Sequence, residues 1–458
     1  MRTVRLTVGQ AIVRFMAAQD IERDGHRQRF IAGVWGIFGH GNVAGLGQAL
    51  EEYGEQYAMP YYRPQNEQAQ VHIAHAFAKH HDRLRAFACI SSVGPGATNM
   101  ITGAAGATVN RIPVLLFPSD AFANRAPDPV LQQIEHPSER DVSANDAFRA
   151  VSRYFDRISR PEQLLASLPA AFRILTDPVE TGAVTISLPE DVQAEAFDWP
   201  ERFFEPRVWH VRRPLPEAGA IEEAAGLIAA SKAPLIVVGG GTIYAGATDD
   251  LAAFASRYGI PVAETQAGKG ALPWDHAMNV GPAGTNGGLA ANRLAREADL
   301  VIACGTRLGD FVTASRTTFQ HPDVAFVNLN IAPMDAYKAR GVAVVADARA
   351  GLRALDAALA ARRHRGSAPA YRRRVAALKA EWDAIVTGLR SLDDGAGDLA
   401  QSRIIGEVNE AVGGHATVIC AAGSLPGDLL RLWRPEDPKA YHVEYGFSCM
   451  GYEIAAGL

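Results

Sequence analysis

A glutamate stands where a carboxylate can do acid–base chemistry. In the segment RPQNEQAQVHIAHAFAKHHD, Glu67 follows Pro64 and Asn66 and begins a run in which apolar residues recur with helical spacing. One interpretation is structural, because a carboxylate in the first turn of a helix is favoured by the helix dipole. The other is functional: a partly buried carboxylate faces a ligand across a domain or subunit interface. The residues alone leave both open.

Two glycine-rich turns are further candidates. In SSVGPGATN, Gly94, Pro95 and Gly96 predict a tight turn that opens a helix of small residues, which allows close backbone approach to a ligand or to another helix. In WGIFGHGN, His40 lies in a glycine loop at the expected carboxyl end of a strand. It is either a surface-accessible group or a hydrogen-bonded anchor of the loop.

Other motifs argue against particular chemistries. The turn VVGGGTIYAG lacks the GxGxxG spacing of a dinucleotide site, so a structural turn is favoured. His72 and His75 are three residues apart without acidic company in the sequence, and no metal-ligand cluster is predicted. The four cysteines stand singly and form no CxxC, which indicates buried, reduced thiols in a cytoplasmic protein.

The elements that position these residues are predicted to be parallel strands. Nine apolar runs are separated by helix-length segments: FIAGVWG, RAFACISS, IPVLLFPSD, GAVTISLPED, APLIVVGG, ADLVIACG, VAFVNLNI, VAVVADAR and ATVICAAG. Such continuous runs are typical of strands buried on both faces. The pattern predicts a doubly wound α/β fold, repeated along the chain, with ligands at the carboxyl ends of the strands.

Size and composition set the outer limits. The 458 residues suit about three domains, and we place them at 1–197, 215–360 and 400–458. The net charge of −5 gives no electrostatic case for nucleic acid or an anionic membrane. Since no uninterrupted apolar run approaches ~18 residues, no membrane span is predicted.

The pieces in this order resemble the thiamine-diphosphate-dependent enzymes of the acetolactate synthase and pyruvate decarboxylase type. The resemblance rests on NEQ, SxxGPGATN, ADLVIACGTRLGD and GFSCMGYEIAAGL, and it spans the whole chain. It implies three doubly wound parallel-sheet domains that bind the pyrimidine, form the middle, and bind the diphosphate. Only the start of the third is expected here.

The resemblance implies cofactor contacts for six residues. Glu67 would hydrogen-bond N1′ of the aminopyrimidine, and Met450 would prop the cofactor in its bent conformation. The carbonyl of Ser448 would accept from the 4′-amino group, although many relatives have glycine there. Gly423, Ser424 and Leu425 match the loop that meets the diphosphate. The GDG…N motif that holds Mg²⁺ would follow Leu458, so no metal ligand is predicted within the chain, and the chain is expected to be a fragment or truncated product that is inactive alone.

Substrate contacts are implied for two loops. Two segments resemble those of family members that act in inositol catabolism: WGIFGHGNVAGLGQALEEYG and HPSERDVSANDAFRAVSRYFDRI. These enzymes hydrolyse the bond between adjacent carbonyls of a cyclic polyol dione. His40 and Asn42 fall in the first loop, where a neutral imidazole suits proton transfer. Gln133 falls in the second, which carries extra residues around Gln132 to His136.

The family also implies a homodimer or homotetramer with active sites at the subunit interface. Two rival functions stay open. An acetolactate-synthase-like carboligase would bind FAD in the middle domain, and a purified yellow protein would favour it. A nucleotide-dependent oxidoreductase or a binding module would rest on the glycine-rich turns alone, and the missing GxGxxG counts against it.

Overall fold

A computed structural model describes residues 2–134, 136–393 and 399–458. The chain forms two compact units: Met1–Arg212 together with Glu444–Leu458, and Arg213–Val443. The three-domain division at 1–197, 215–360 and 400–458 stays a prediction. None of the helices in the described ranges has the length and hydropathy to cross a membrane.

The first unit is built on a six-stranded, fully parallel sheet in the order β5-β4-β6-β7-β9-β8. Its elements are β1 (Thr3–Thr7), α1 (Val8–Ala17), β2 (Gln19–Arg23), β3 (His26–Arg29), β4 (Ile31–Gly36), α2 (Gln48–Tyr53), β5 (Tyr61–Tyr62), α3 (Glu67–His80), β6 (Ala86–Ser91), α4 (Pro95–Thr98), α5 (Ile101–Asn110), β7 (Val114–Asp120), β8 (Tyr154–Arg157), α6 (Leu164–Leu175), β9 (Ala183–Pro189), α7 (Glu190–Ala194), β10 (Ala196–Pro200) and β11 (Arg207–His210). Strands β1 and β10 pair antiparallel, and β11, β2 and β3 form a small mixed sheet.

Helices cover both faces of this sheet because successive strand residues point to opposite sides. In β7, Leu115 and Phe117 join the core that contains residues of α1 and α6. Val114 and Leu116 join the core that contains residues of α3 and α5. A strand buried on both faces must be apolar throughout, which is why β7 appears in the sequence as an uninterrupted run.

The second unit repeats the design with the parallel order β14-β13-β12-β15-β16-β17, and adds a two-stranded parallel pair, β18 with β19. Its elements are α8 (Ala218–Ala230), β12 (Pro234–Val238), α9 (Gly240–Tyr244), α10 (Thr248–Tyr258), β13 (Val262–Glu264), β14 (Asn279–Pro282), α11 (Leu289–Glu297), β15 (Leu300–Cys304), α12 (Asp310–Thr313), β16 (Ala325–Asn330), α13 (Pro333–Ala336), β17 (Val342–Val345), α14 (Ala348–Ala361), α15 (Pro369–Arg390), α16 (Gln401–Val412), β18 (Val418–Cys420), α17 (Leu425–Leu432) and β19 (Tyr441–Val443).

The glycines of VVGGGT are explained by packing between two strand ends. The backbone N–H of Gly239 donates to the carbonyl of Cys304 at 2.9 Å, and that of Gly241 donates to Gly305 at 3.0 Å. A Cβ at Gly239 would lie 2.4 Å from the Gly305 oxygen. The close approach of two backbones requires glycine here, which supports the structural interpretation of the turn.

The last segment of the chain returns to the first unit. Helix α18 (Tyr452–Ala456) packs on α3, where the Tyr452 ring meets the rings of His72 and His75 edge-on, with centroids 5.1 and 5.4 Å apart.

The α/β class with doubly wound parallel sheets is confirmed, and all nine apolar runs of the sequence contain strands.

Candidate active site

Glu67 is the first residue of α3, and the preceding asparagine fixes where that helix begins. The Asn66 side-chain oxygen accepts from the backbone N–H of Ala69 at 2.8 Å, which satisfies one of the donors that a helix leaves unpaired at its start. Glu67 is 9% exposed. The cap therefore sets a largely buried carboxylate at a defined point beside the loop after β6.

That loop supplies the partners of the Glu67 carboxylate. Nδ2 of Asn99 donates to Oε2 at 3.0 Å. A Cβ added to Gly96 would lie 3.1 Å from Oε1. Within the motif GPGATN, Asn99 thus donates to one oxygen of the Glu67 carboxylate, and Gly96 places a backbone without a side chain beside the other oxygen. The sequence analysis predicts no role for Asn99, although an amide three residues after a Gly-Pro-Gly turn is a signal that could identify it.

Gly94 joins the loops that follow β6 and β7. Its φ of +58° lies in the left-handed region, and a Cβ there would stand 1.7 Å from the carbonyl oxygen of Gln132. No other residue type fits both the dihedral and the space. The contact between Gly94 and the Gln132 carbonyl places Gln132 at the same edge of the sheet as Gly96 and Asn99, which lie beside Glu67.

His40 lies in the loop after β4 between two oxygen atoms. Its Nε2 is 2.9 Å from Oε1 of Gln132, and its Nδ1 is 3.3 Å from Oε1 of Glu190. The His40 side chain is 36% exposed, whereas that of Glu190 is 11% exposed. Burial raises the pKa of Glu190, and the nearby His40 opposes that rise. Sequence reasoning missed Glu190, which directly follows the buried strand β9.

Asn42 braces the His40 loop from inside. Its Oδ1 accepts from the backbone N–H of Gly39 at 2.9 Å, and its Nδ2 donates to the carbonyl of Ile37 at 3.1 Å. With 1% of its surface exposed, the side chain has both ends engaged within the loop. A substrate contact for Asn42 stays a prediction.

Gln133 and His136 line a cavity of about 700 Å³, together with other residues of 121–134 and 136–143. The ends of β7 and β8 contribute Asp120 and Arg157, whose ion pair is 2.8 Å long. The amide nitrogen and oxygen of Gln133 are buried without a hydrogen-bond partner. His40 is not among the described residues that line this cavity. The substrate residues predicted in the two loops therefore have different surroundings. His40 lies between Gln132 and Glu190, whereas Gln133 lines the cavity.

Gly423 and Ser424 directly precede α17, which begins at Leu425 in the second unit. Gly423 has a φ of +102° with open space around it, so its backbone conformation is what favours glycine. The Ser424 side chain makes no capping hydrogen bond to the helix. A glycine turn leading into a helix start is the donor arrangement that suits a phosphate.

Ser448 and Met450 flank a contact with α3 in the first unit. The amide of Gln68, the neighbour of Glu67, donates to the Cys449 thiol at 3.3 Å. Ser448 is exposed, and Met450 is 80% exposed. Both predicted cofactor residues thus stand in solvent beside the helix that begins with Glu67.

Glu444 is an acidic neighbour of His72 and His75 that the sequence analysis does not predict. The sequence showed no acidic neighbour, but Oε1 of the buried Glu444 lies 3.6 Å from Nδ1 of His72 and 3.7 Å from Nδ1 of His75. Burial raises the pKa of Glu444 to about 7 and lowers that of His72 to about 4. Across the described ranges, no group of three or more His, Cys, Asp or Glu side chains has the arrangement of a metal site.

Family comparisons agree with this architecture. Residues 6–139 match the thiamine pyrophosphate enzyme N-terminal TPP binding domain, and residues 221–355 match the thiamine pyrophosphate enzyme central domain. The chain belongs to the thiamine pyrophosphate enzymes.

Curated relatives narrow the comparison. The chain is 48% identical over 481 aligned residues to 3D-(3,5/4)-trihydroxycyclohexane-1,2-dione hydrolase 2 of Bacillus cereus. It is 47% identical over 480 aligned residues to the hydrolase of the same name from Geobacillus thermodenitrificans. Both alignments cover 100% of this chain and 74% of the relative.

Proposed function

We propose that this chain serves the thiamine-diphosphate-dependent hydrolysis of 3D-(3,5/4)-trihydroxycyclohexane-1,2-dione in myo-inositol catabolism. The bond between the two adjacent carbonyl carbons breaks, and the ring opens to 5-deoxy-D-glucuronate. Identity of 46–48% along the whole chain to hydrolases named for this substrate supports the proposal. The observation that carries it is the Glu67 carboxylate, held by Asn99 against the bare backbone of Gly96.

The pyrimidine end of the cofactor fits the Glu67 environment. When bound, thiamine diphosphate supplies a nucleophilic carbon and an electron sink. Glu67 would hold the proton at N1′ of the aminopyrimidine with Oε1, while Asn99 keeps Oε2 in place. Because Gly96 has no side chain, nothing from that residue blocks Oε1. A largely buried, oriented carboxylate is suited to moving that proton.

The remaining cofactor contacts form the second part of the proposal. The backbone of Gly423, Ser424 and Leu425 would meet the diphosphate, with Mg²⁺ as the counter-ion. The carbonyl of Ser448 would accept from the 4′-amino group, and the exposed Met450 side chain would support the rings. Homodimers or homotetramers with sites at the subunit interface, and a cytoplasmic location, belong to the same proposal.

His40 is the proposed acid–base group for the substrate. Contacts from Asn42 and Gln133 stay predictions, because the Asn42 side chain is engaged within its own loop and Gln133 lines a separate cavity. His40 lies at the carboxyl edge of the parallel sheet and keeps about a third of its surface exposed. Gln133 offers an unpartnered amide to a polar ligand. A polyhydroxylated ring supplies both donors and acceptors for such groups.

Ring opening tests the proposal. The 458-residue chain is compared with the same chain extended by the C-terminal quarter of the Bacillus cereus relative, each with thiamine diphosphate, Mg²⁺ and the dione. We expect the extended protein to convert the dione to an acid heavier by one water, detected by mass spectrometry. A folded, cofactor-loaded protein that leaves the dione intact would contradict the proposal. Condensation of pyruvate instead would favour the carboligase.

A further inference from the structure

The cavity of about 700 Å³ lies beside the carboxyl ends of β7 and β8. Its volume falls within the range of roughly 300–1,000 Å³ that is typical of small-molecule sites. Glu67 and His40 are not among the described residues that line it. The cavity is therefore not explained by the chemistry proposed for those two residues, and its lining indicates what it could bind.

One side of the cavity is held in shape by a buried ion pair. Asp120, which is 1% exposed, accepts from Nε of Arg157 at 2.8 Å and from the Ser187 hydroxyl at 2.6 Å. Arg157 also donates to the carboxylate of Asp146 and to the carbonyl of Asp141, both at 2.9 Å. Since these bonds are internal to the protein, this side of the cavity needs no ligand to keep its shape.

The charges around the cavity are balanced. The other lining arginines in the described part of the chain are also paired with carboxylates: Arg125 with Asp141, Arg140 with Asp128, and Arg149 with Asp146. Among the described lining residues, carboxylates outnumber guanidinium groups. A phosphate would be repelled by those carboxylates, and a metal cation by the guanidinium groups. The charge pattern therefore favours an uncharged ligand.

The cavity is nevertheless rich in hydrogen-bonding groups. A guanidinium has five N–H donors and a carboxylate has about four acceptor positions, so each ion pair places donors next to acceptors. A hydroxyl group, which donates once and accepts twice, matches that pattern. The amide nitrogen and oxygen of Gln133 are buried without a hydrogen-bond partner, which costs stability. Ligand hydroxyl groups would supply both partners.

Two aromatic rings, Phe122 and Phe155, add apolar surface to the same cavity. The Arg149 guanidinium lies over the Phe155 ring, 4.3 Å from its centroid, so apolar and hydrogen-bonding surfaces are adjacent. The C–H groups of a saturated ring are stabilised when they leave water for such a surface. The lining thus suits a compound that carries hydroxyl groups around a carbon ring.

We propose that this cavity is a second binding site, for a neutral carbocyclic polyol of the inositol class. The inference rests on the proposed function only for the choice of a carbocyclic ring, because the cavity itself specifies hydroxyl groups and apolar surface. Two consecutive glutamines link it to the His40 loop. Oε1 of Gln132 is 2.9 Å from Nε2 of His40, whereas the Gln133 side chain lines the cavity. A bound polyol would lie one residue away from that contact.

Methyl NMR tests the site on the 458-residue chain without cofactor or turnover. Isoleucine and valine methyl groups are labelled with ¹³C, and the chain is titrated with myo-inositol and, separately, with inorganic phosphate. We expect saturable shifts from myo-inositol at three lining residues, Val130, Ile134 and Val142, which single substitutions assign. Shifts confined to other methyl groups, no shift up to the solubility limit of myo-inositol, or shifts with phosphate alone would overturn the proposal.

Gln133→Leu tests the amide. The substitution removes a buried amide that has no partner, so thermal stability should stay the same or rise. Affinity for myo-inositol should fall by about five- to tenfold, as expected for the loss of one or two hydrogen bonds. The control Gln320→Leu makes the same exchange at an exposed position in the second unit and should bind like the wild type. Equal affinity in a folded Gln133→Leu variant would overturn the proposal.

Failure of the polyol site and failure of the proposed function give different results. If myo-inositol shifts the three lining residues and the extended protein leaves the dione intact, the proposed function fails and the polyol site stands. If the extended protein opens the dione and myo-inositol shifts none of the three, the proposed function stands and the polyol site fails.

Discussion

Gly96 decides how much room the Glu67 carboxylate has on one side. It lies in the short helix α4, where glycine costs backbone entropy that alanine would save. Because Gly96 has a helical backbone conformation that any residue can adopt, backbone strain does not explain why it is glycine. The space that it leaves beside the buried Glu67 carboxylate explains it better. Stability and function therefore pull in opposite directions at this residue.

Gly96→Ala should separate the two. We expect the free energy of unfolding to stay the same or rise by up to about 1 kcal/mol. Cofactor affinity should fall, because the new methyl group would stand 3.1 Å from Glu67 Oε1. Thermal denaturation and calorimetry with thiamine diphosphate and Mg²⁺ on the extended protein measure the two effects. Equal cofactor affinity in wild type and variant would show that Oε1 needs no free space there.

His40→Ala should affect the substrate and spare the cofactor. A positioned acid–base group contributes roughly 10²–10⁴-fold to a rate, so ring opening should fall by that order while cofactor affinity stays constant. Steady-state rates and cofactor titration in the extended protein give both numbers. A variant that loses cofactor binding would instead mark the loop as structural.

Sequence reasoning reached Glu67 and His40 because each stands at a recognisable local signal, a helix start and a glycine loop. It missed Asn99, Glu190 and Glu444 as partners. Their contacts span 32 residues from Asn99 to Glu67 and more than 100 for the other two. Such pairs depend on which strands and helices become neighbours, and no local periodicity contains that information.

At the scale of elements, the two central histidines of α3 meet a carboxyl group from the last segment of the chain. Glu444 accepts from the backbone N–H of Cys449 at 2.7 Å, and its other oxygen faces His72 and His75. The imidazoles are neutral because burial lowers their pKa values. A buried carboxyl group among neutral rings is stable when it is protonated.

The attachment of segment 444–458 to α3 should weaken as pH rises through 7. A carboxyl pKa raised from 4.5 to about 7 means that the folded state binds the proton more tightly, so this contribution is complete at low pH and is lost above the raised value. His72, with a lowered pKa of about 4, changes stability in the opposite direction between pH 4 and 6.5, which does not extend above the lower of the two pH values compared here. Hydrogen exchange of 444–458, corrected for intrinsic rates, should therefore be faster at pH 8 than at pH 6.5.

Glu444→Gln supplies the matching variant because it keeps the shape and removes the titration. Its exchange should be equal at the two pH values, and the control Glu195→Gln, at an exposed position outside the segment, should keep the wild-type difference. A wild type without pH dependence would mean that the segment detaches independently of Glu444.

Element prediction succeeded where strands lie in uninterrupted apolar runs and failed for strands outside such runs. The apolar runs that became β6, β7 and β15 are unambiguous. Strands β5 and β13 have two and three residues, too few for a pattern to emerge from the sequence. Strand β8 lies at an edge of its sheet, and its mixed sequence YFDR reflects partial burial.

At the scale of the whole molecule, the chain repeats one architecture, and each unit contains some of the proposed site residues. The first unit carries Glu67 and His40, and the second carries the glycine turn at 423–425. Repetition and class follow from the spacing of apolar runs. The division into units does not, since Glu444–Leu458 joins the first unit through side-chain contacts with α3 that sequence order does not suggest.

Hydrogen–deuterium exchange at C2 of bound thiamine diphosphate tests the central claim most directly. We expect Glu67→Gln in the extended protein to slow that exchange by roughly 10²–10⁴-fold, with thermal unfolding nearly unchanged, because the helix-dipole contribution of a first-turn carboxylate is only about 0.3–1 kcal/mol. Glu55→Gln, at an exposed position outside α3, controls for the removal of one negative charge. Exchange at the wild-type rate in a folded, cofactor-loaded Glu67→Gln protein would contradict the account and leave Glu67 as a helix-terminal charge.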